Sequence, residues 1–305
     1  QGTGTGRQNN LAALLRKDKI MRWLSKKQSF VILLAPTLIL FTLFVVVPVG
    51  IACYYSFTNF TGIGSPTFVG LSNYMTLFKD KVFFLALKNT GIVLGVSAVT
   101  VIPLSFLLAL LLDRAFPGTK LAKALNFSPN IIAPILVGLI WVFILDPGMG
   151  LVNALLRQLG MVSLQPEWIG GRTLTPYSVA FVYLWKVLGY NATIFMAAFK
   201  MIPGDIYEAA SIDGAGGAKK LWYITIPMIK PTLLIVTILL ITGVFKIFEI
   251  VVQLTAGGPN HLSELLVTYM YYMTFQSTKY GYGMSIAIVT FLLTAVFAVI
   301  YIGVT

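Results

Sequence analysis

Six predominantly apolar stretches divide this chain, at 30–57, 90–112, 125–145, 177–199, 233–254 and 283–305. A helix needs roughly 20 apolar residues to cross a hydrocarbon core, and each stretch meets that length. A chain patterned this way can bury so much apolar surface only in lipid. Composition agrees, since 57% of the residues are hydrophobic and 10% are charged, against about 25% charged in a soluble domain. The pattern predicts an all-α, polytopic membrane protein with about six transmembrane helices, in which residues 1–29 form an N-terminal arm and 30–305 the membrane domain. The first stretch is longer than a signal-peptide core and lacks a small-residue cleavage site at the expected distance, so it is expected to be a retained span.

The formal charge of +12 is explained by topology. Arg7, Arg16, Lys17, Lys19, Arg22, Lys26 and Lys27 precede the first span. Arg114, Lys120 and Lys123 lie between the second and third, and Lys200, Lys219, Lys220 and Lys230 between the fourth and fifth. These fourteen of the 22 basic residues fall on one side, against six in the opposite loops. Because Lys and Arg accumulate on the cytoplasmic side, the N-terminus is expected in the cytoplasm. The arm places Leu11, Leu14 and Leu15 beside Arg16, Lys17 and Lys19, a pattern that suits either an amphipathic helix on an anionic leaflet or a solvated tail. With the charge so distributed, nucleic acid is not an expected partner. The single cysteine, Cys53, and the single histidine, His261, exclude an internal disulfide, a cysteine metal cluster and the common hydrolase triads, so the chain is expected to be no enzyme.

One segment carries more information than hydropathy. Pro203 stands at a plausible helix start, Asp205 and Glu208 lie near the positive end of the helix dipole, and Gly214, Gly216 and Gly217 end the helix. Glu208, Ala209 and Ala210 leave a thin face able to enter a groove on another protein. Leu221, Trp222, Ile224 and Ile226 then continue as a second amphipathic stretch until Pro227 and Pro231 restart the chain into the fifth span.

Glu208-Ala209-Ala210, Gly214 after three residues, Ile224 after nine more, then Ile226 and Pro227 resemble the EAA loop of binding-protein-dependent ABC importer permeases. The usual pattern has Leu where this chain has Ile226, a change between residues of similar volume. Phe68-Val-Gly-Leu-Ser-Asn-Tyr74, Asp146-Pro-Gly-Met-Gly-Leu-Val-Asn153 and Leu254-Thr-Ala-Gly-Gly-Pro259 are similar to segments of the maltose and glycerol-phosphate type of sugar permease. The resemblance implies a type I ABC importer permease fold with a coupling loop at 203–227. Glu208, Ala209, Ala210, Asp213, Gly214, Ile224 and Pro227 would engage the ATPase. It further implies a non-catalytic subunit in the cytoplasmic (inner) membrane of a bacterium or archaeon, paired with a second, homologous permease in a heterodimer, two cytoplasmic ATPase subunits that bind ATP and Mg, an extracytoplasmic solute-binding protein, and a sugar, oligosaccharide or polyol as cargo. The chain has no G-x-x-x-x-G-K-[ST] phosphate loop of its own.

Ionisable groups within spans are costly and mark a bundle interior or a hydrated path. In the fifth stretch Thr242, Lys246, Glu249 and Gln253 would share one face of a continuous helix, with Lys246 and Glu249 able to neutralise each other. In the fourth, Tyr183, Lys186, Tyr190 and Thr193 form a similar stripe beside Asn191. Aromatic faces and amide or carboxylate groups suit saccharides. Tyr190, Asn191, Lys186, Lys246, Glu249 and Gln253 are therefore pathway candidates, with interhelical contact as the alternative role. Pro36, Pro48, Pro103 and Pro134 are expected to kink or shape the spans, and Tyr269, Tyr271, Tyr272, Tyr280 and Tyr282 to form an interfacial belt. The competing functional class is an ion-gradient-driven secondary transporter with Lys186, Lys246 and Glu249 as the relay.

Overall fold

The computed structural model describes residues 27–114, 116–161, 166–171 and 173–304. The N-terminal arm and its basic residues up to Lys26, as well as Arg172, lie outside the described residues. The chain divides into two units, Gln1–Tyr54 and Tyr55–Thr305. In the first, α1 (Lys27–Phe41) passes through a π-helical turn at Thr42–Val46 into α2 (Val47–Ser56), which crosses the unit boundary. Residues Val31–Ser56 make one apolar helical run of 26 residues. Pro36 lies inside α1, and Pro48 lies near the start of α2, after the π turn.

The described residues of the second unit are almost wholly helical, with one isolated antiparallel bridge among them, between Thr58 and Phe68. A short α3 (Ser72–Leu77) leads to α4 (Lys81–Asp113). This 33-residue helix is about 50 Å long at 1.5 Å per residue and begins nine residues before the hydrophobic stretch that announces it. The reason is its cap. Asp80 Oδ1 accepts from the backbone N–H of Val82 at 2.8 Å and of Phe83 at 3.4 Å, satisfying donors that the first turn leaves orphaned. Pro103 sits inside this helix without ending it.

The third expected span, 125–145, is not one helix. α5 (Thr119–Ile131) and α6 (Pro134–Leu145) meet at an angle of 101° across the break at 132–133. Pro134 is the first residue of α6, and a residue before proline is driven out of the helical region. Ala133 accordingly has ψ 136°. After α7 (Leu151–Gln158) comes the continuous α8 (Thr175–Lys200). α9 (Gly204–Ile212), α10 (Gly217–Lys220), a π-helical turn at Leu221–Thr225 and α11 (Ile226–Met228) build the following loop.

The fifth expected span, 233–254, is also interrupted. α12 (Lys230–Val244) ends, and the separate α13 (Glu249–Thr255) begins after Phe248, whose φ and ψ of −122° and −66° leave the helical region. α14 (Leu266–Tyr271), a π-helical turn at Tyr272–Gln276 and α15 (Tyr280–Val304) complete the chain. Among the described residues, four helices are long and apolar enough to cross a membrane, or up to six when each bent pair is taken as one span; the pairs are Thr119–Ile131 with Pro134–Leu145, and Gly217–Met228 with Lys230–Val244.

Three clusters set the helix directions. Val93 of α4 shares one with Val179 and Tyr183 of α8 and with Trp141 and Leu145 of α6. Ala109 and Leu112 of α4 share another with Phe195 and Phe199 of α8, so α4 and α8 run the same way. α12 runs against them, with Val236 and the preceding Ile229 in the second cluster and Ile241 beside Phe83 and Tyr282 in a third. Asp80 and the start of α15 therefore lie at one end of the bundle, and the loop after α8 lies at the other.

Candidate functional site

The loop after α8 is shaped by its own sequence. α9 begins directly after Pro203, with Asp205 in its first turn. It stops at Asp213 because Gly214 takes a left-handed φ of 74°. Gly214 N–H then donates to Ser211 O at 3.1 Å and Ala215 N–H to Ala210 O at 2.8 Å, the paired bonds of a Schellman cap. Of the three expected glycines, Gly214 is the stop; Gly216 precedes the next short helix and Gly217 opens it.

One face of α9 anchors it. Tyr207 is half-buried against the Ala109, Leu112 and Phe199 cluster, and its hydroxyl lies 2.9 Å from Thr225 Oγ1. Thr225 is buried, and Ile224 and Ile226 beside it are half-buried. Lys220 Nζ donates to Ser211 Oγ, tying α9 to α10. The remaining surface is open: Glu208, Ala209, Asp213, Gly214 and Pro227 are exposed, and Ala210 is half-buried. Around them stand large exposed apolar groups, Ile212 at 87%, Tyr223 at 80% and Trp222 at 67%. An exposed small-residue helix rimmed by apolar side chains is the composition of a protein contact.

The polar candidates inside the bundle separate into two places. Lys186, on α8, reaches the break between α5 and α6, where its Nζ donates to Ile132 O at 3.0 Å and Asn130 O at 3.3 Å. It thereby satisfies carbonyls that the bend frees, and it sets a positive charge at the negative end of the α5 dipole. Glu249, the first residue of α13, lies near enough for its charge to act on Lys186. Gln253, four residues on from Glu249, packs against Gly138 of α6, where an added Cβ would lie 2.6 Å from Gln253 Cβ. Lys186, Glu249 and Gln253 thus gather where two interrupted spans meet.

The single-face arrangement expected of Thr242, Lys246, Glu249 and Gln253 is not present, because the helix breaks between Val244 and Glu249. Lys246 forms no ion pair with Glu249; it lines a cavity of about 370 Å³ among α12, α14 and α15 with Thr242, Thr290 and Thr294. On α8, Tyr190 is 37% exposed, whereas Asn191 is buried and donates from Nδ2 to Val187 O of its own helix at 3.0 Å. Tyr183 is buried with its hydroxyl against Gly243.

The opposite end holds a polar constellation that sequence reading missed. Asp80 Oδ2 accepts from Tyr282 Oη at 2.6 Å and from Tyr269 Oη. Burial pushes this carboxyl up, but the two phenols and the two backbone N–H groups outweigh it and hold Asp80 below its ordinary value of 3.8. The same burial and the carboxylate raise Tyr269. Tyr269 and Tyr282 are buried, so these two belong to the interior rather than to the expected belt of exposed tyrosines. Nearby, Asn89 Nδ2 donates to Leu262 O at 2.9 Å and Glu264 O at 3.0 Å, fixing the turn that follows α13.

No family model matches the chain. It is 33% identical over 264 residues to the probable ABC transporter permease protein YurN of Bacillus subtilis, covering 86% of this chain and 90% of that protein. It is 30% identical over 281 residues to the diacetylchitobiose uptake system permease protein NgcF of Streptomyces coelicolor, covering 88% of this chain and 80% of that protein. Among solved structures, a chain of a bacterial alginate ABC transporter in complex with alginate pentasaccharide-bound periplasmic protein superposes with a TM-score of 0.76 at 23% identity, over 92% of this chain and 95% of that one.

Proposed function

Because the chain belongs to the sugar-permease family of ABC importers, we propose that the loop at 203–227 seats an ATPase subunit and that the bundle forms half of a translocation pathway alternating between inward and outward access. The N-terminus and this loop lie in the cytoplasm of a bacterium or archaeon, and the Asp80 end faces outward. A second permease of the same fold completes the pathway. Two ATPase subunits bind ATP and Mg, and an external binding protein delivers the solute. ATP-driven closure draws the two α9 helices together and opens the pathway outward, a shift between two states each stabilised by different contacts. The chain itself performs no bond chemistry.

The observation that carries this reading is the two-faced build of α9. Tyr207 and Thr225 lock one side to the bundle, while Glu208 and Ala209 stand exposed on the other. A rigid helix held on one side transmits displacement, and its small residues admit close approach of a groove. Asp213, Ile224 and Pro227 complete the engagement as cap, spacer and stop. The cargo is a saccharide or related polyol, in keeping with the uptake of diacetylchitobiose through NgcF. Lys186, Glu249 and Gln253, with Tyr190 and Asn191 on the same helix as Lys186, supply donors, acceptors and a ring for hydroxylated solutes, and Lys246 serves the neighbouring cavity.

Cysteine substitution at Ala209, followed by cross-linking in native membranes containing the whole transporter, tests the seat. The expected result is a single adduct with the ATPase subunit whose yield changes with ATP. Absence of that adduct, alongside efficient labelling of the cysteine by a soluble maleimide, would refute the docking assignment.

A further inference from the structure

A cavity of about 300 Å³ lies at the bundle end opposite the Glu208 loop, away from both the coupling surface and the polar groups at the helix breaks. Its volume is at the lower end of that of small-molecule sites. Three stretches of chain converge on it: 59–61, 73–80 spanning α3 and the cap of α4, and 273–282 leading into α15.

The polar groups on its wall are of both kinds, and the acceptors are fixed. All acceptor positions of Asp80 are engaged, by Val82, Phe83, Tyr269 and Tyr282. Its charge is therefore felt through Tyr282, since a hydroxyl that donates to a carboxylate has a more electron-rich oxygen and becomes a better acceptor. Asn73 spends both amide hydrogens on Ser56 O and Thr58 O, each at 2.8 Å, which turns its remaining carbonyl oxygen into a second oriented acceptor. Lys279 lines the same cavity without an ion pair to Asp80, so its ammonium is available as a donor. Phe60 contributes a ring held by stacking on Tyr55 at 4.7 Å and by the edge of Tyr280 at 5.5 Å. The formal charges of Asp80 and Lys279 cancel.

Sugar hydroxyls donate and accept at once, and one face of a sugar ring is apolar. A neutral cavity with rigid acceptors, one rigid ring and one mobile donor matches that chemistry, whereas an anion would meet Asp80 and a cation Lys279. We propose that this cavity is a second saccharide subsite, holding one neutral sugar unit at the end of the bundle remote from the ATPase. Tyr282 and Asn73 accept from its hydroxyls and Lys279 donates to them. The proposal rests on the reading of the chain as a sugar-importer permease.

The test uses the assembled transporter in nanodiscs, without ATP or external binding protein, titrated calorimetrically with glucose, maltose and diacetylchitobiose. ATP-driven uptake of the same three sugars into proteoliposomes is measured in parallel with the binding protein present. The expected result is saturable binding of at least one sugar, weakened about tenfold or more by Tyr282→Phe and by Lys279→Ala, the scale of losing one charge-assisted hydrogen bond. Lys279 is exposed, so its variant folds even if loss of the Tyr282 hydroxyl disturbs Asp80. Uptake of a sugar without any saturable binding overturns the subsite and leaves the permease reading intact. Absence of both uptake and saturable binding for all three overturns the subsite and the saccharide assignment of the cargo together. Sugar binding unchanged in Lys279→Ala, with docking of the binding protein weakened instead, overturns the subsite and gives the cavity to a protein contact.

Discussion

Replacing Gly214 isolates one physical quantity in the loop after α8. Its φ is 74°, and an added Cβ would meet nothing within 4 Å, so a side chain there costs only what the left-handed backbone costs, about 1–2 kcal/mol. That cost falls on a helix of nine residues, too short to persist on its own propensity. Its end depends on the bonds from Gly214 to Ser211 and from Ala215 to Ala210. A loss of 1–2 kcal/mol lowers the capped population roughly 5- to 30-fold relative to the uncapped one. Residues differ in how well they tolerate this conformation, which fixes an order: Gly best, Asn next, then Ala, and Val worst. Gly214→Asp adds a further cost of about 0.3–1 kcal/mol, because a negative charge joins Asp213 at the negative end of the α9 dipole. Amide hydrogen exchange of 208–215 in the reconstituted transporter reads the cap directly, and sugar-stimulated ATP hydrolysis reads its consequence. Both should follow the stated order, with membrane insertion unchanged. If Gly214→Val kept full protection and coupling, or if Asn were as damaging as Val, the reasoning would fail.

Other consequences follow from particular contacts. Asp80→Ala removes an N-cap worth about 1 kcal/mol and orphans two phenols, so thermal stability should fall by about 3 kcal/mol, while Asp80→Asn should lose less because Asn still caps. Since hydrogen bonds hold Asp80 below 3.8, its contribution is complete above the unfolded value and is lost as pH falls through the lower folded one. Melting curves should therefore be flat from pH 7 to about 5 and drop below about 4, and Asp80→Asn should remove this part of the acid response. Gly189→Ala would drive a Cβ into the backbone carbonyl of Asn126, costing about 1–3 kcal/mol as α5 and α8 separate, measurable as a lowered Tm in detergent. Lys186→Met should free Asn130 O and Ile132 O and reduce both stability and transport; Lys186→Arg should restore much of the stability, and an unchanged Tm in the Met variant would contradict the capping role.

The helices and cap of the loop at 203–227 were readable in the sequence because their signal is local. Helix, cap and second stretch all lie within 203–227, and Gly214 alone dictates where α9 ends. The four continuous apolar runs were readable for the same reason. The interruptions at 132–133 and 245–248 were not, because counting apolar residues is blind to direction: a run that turns through 101° has the same hydropathy as a straight one. Pro134 was a signal for the first break, but Pro103 shows that proline alone does not decide it, since α4 continues through that position. The second break carries no proline, and it dissolved the expected Thr242 to Gln253 face. Asp80 could not be paired with Tyr269 and Tyr282 by pattern, for those partners lie 189 and 202 residues away. Long-range polar contacts of this kind leave no periodicity to read.

The central claim is that another subunit powers this pathway through α9. It is tested by uptake of radiolabelled sugar into proteoliposomes containing both permeases, with the ATPase subunits and binding protein added or withheld. Uptake is expected only when ATP, ATPase subunits and binding protein are all present, and it should be lost in Glu208→Lys with the bundle intact. Uptake driven by a proton or sodium gradient without any ATPase subunit would contradict that claim.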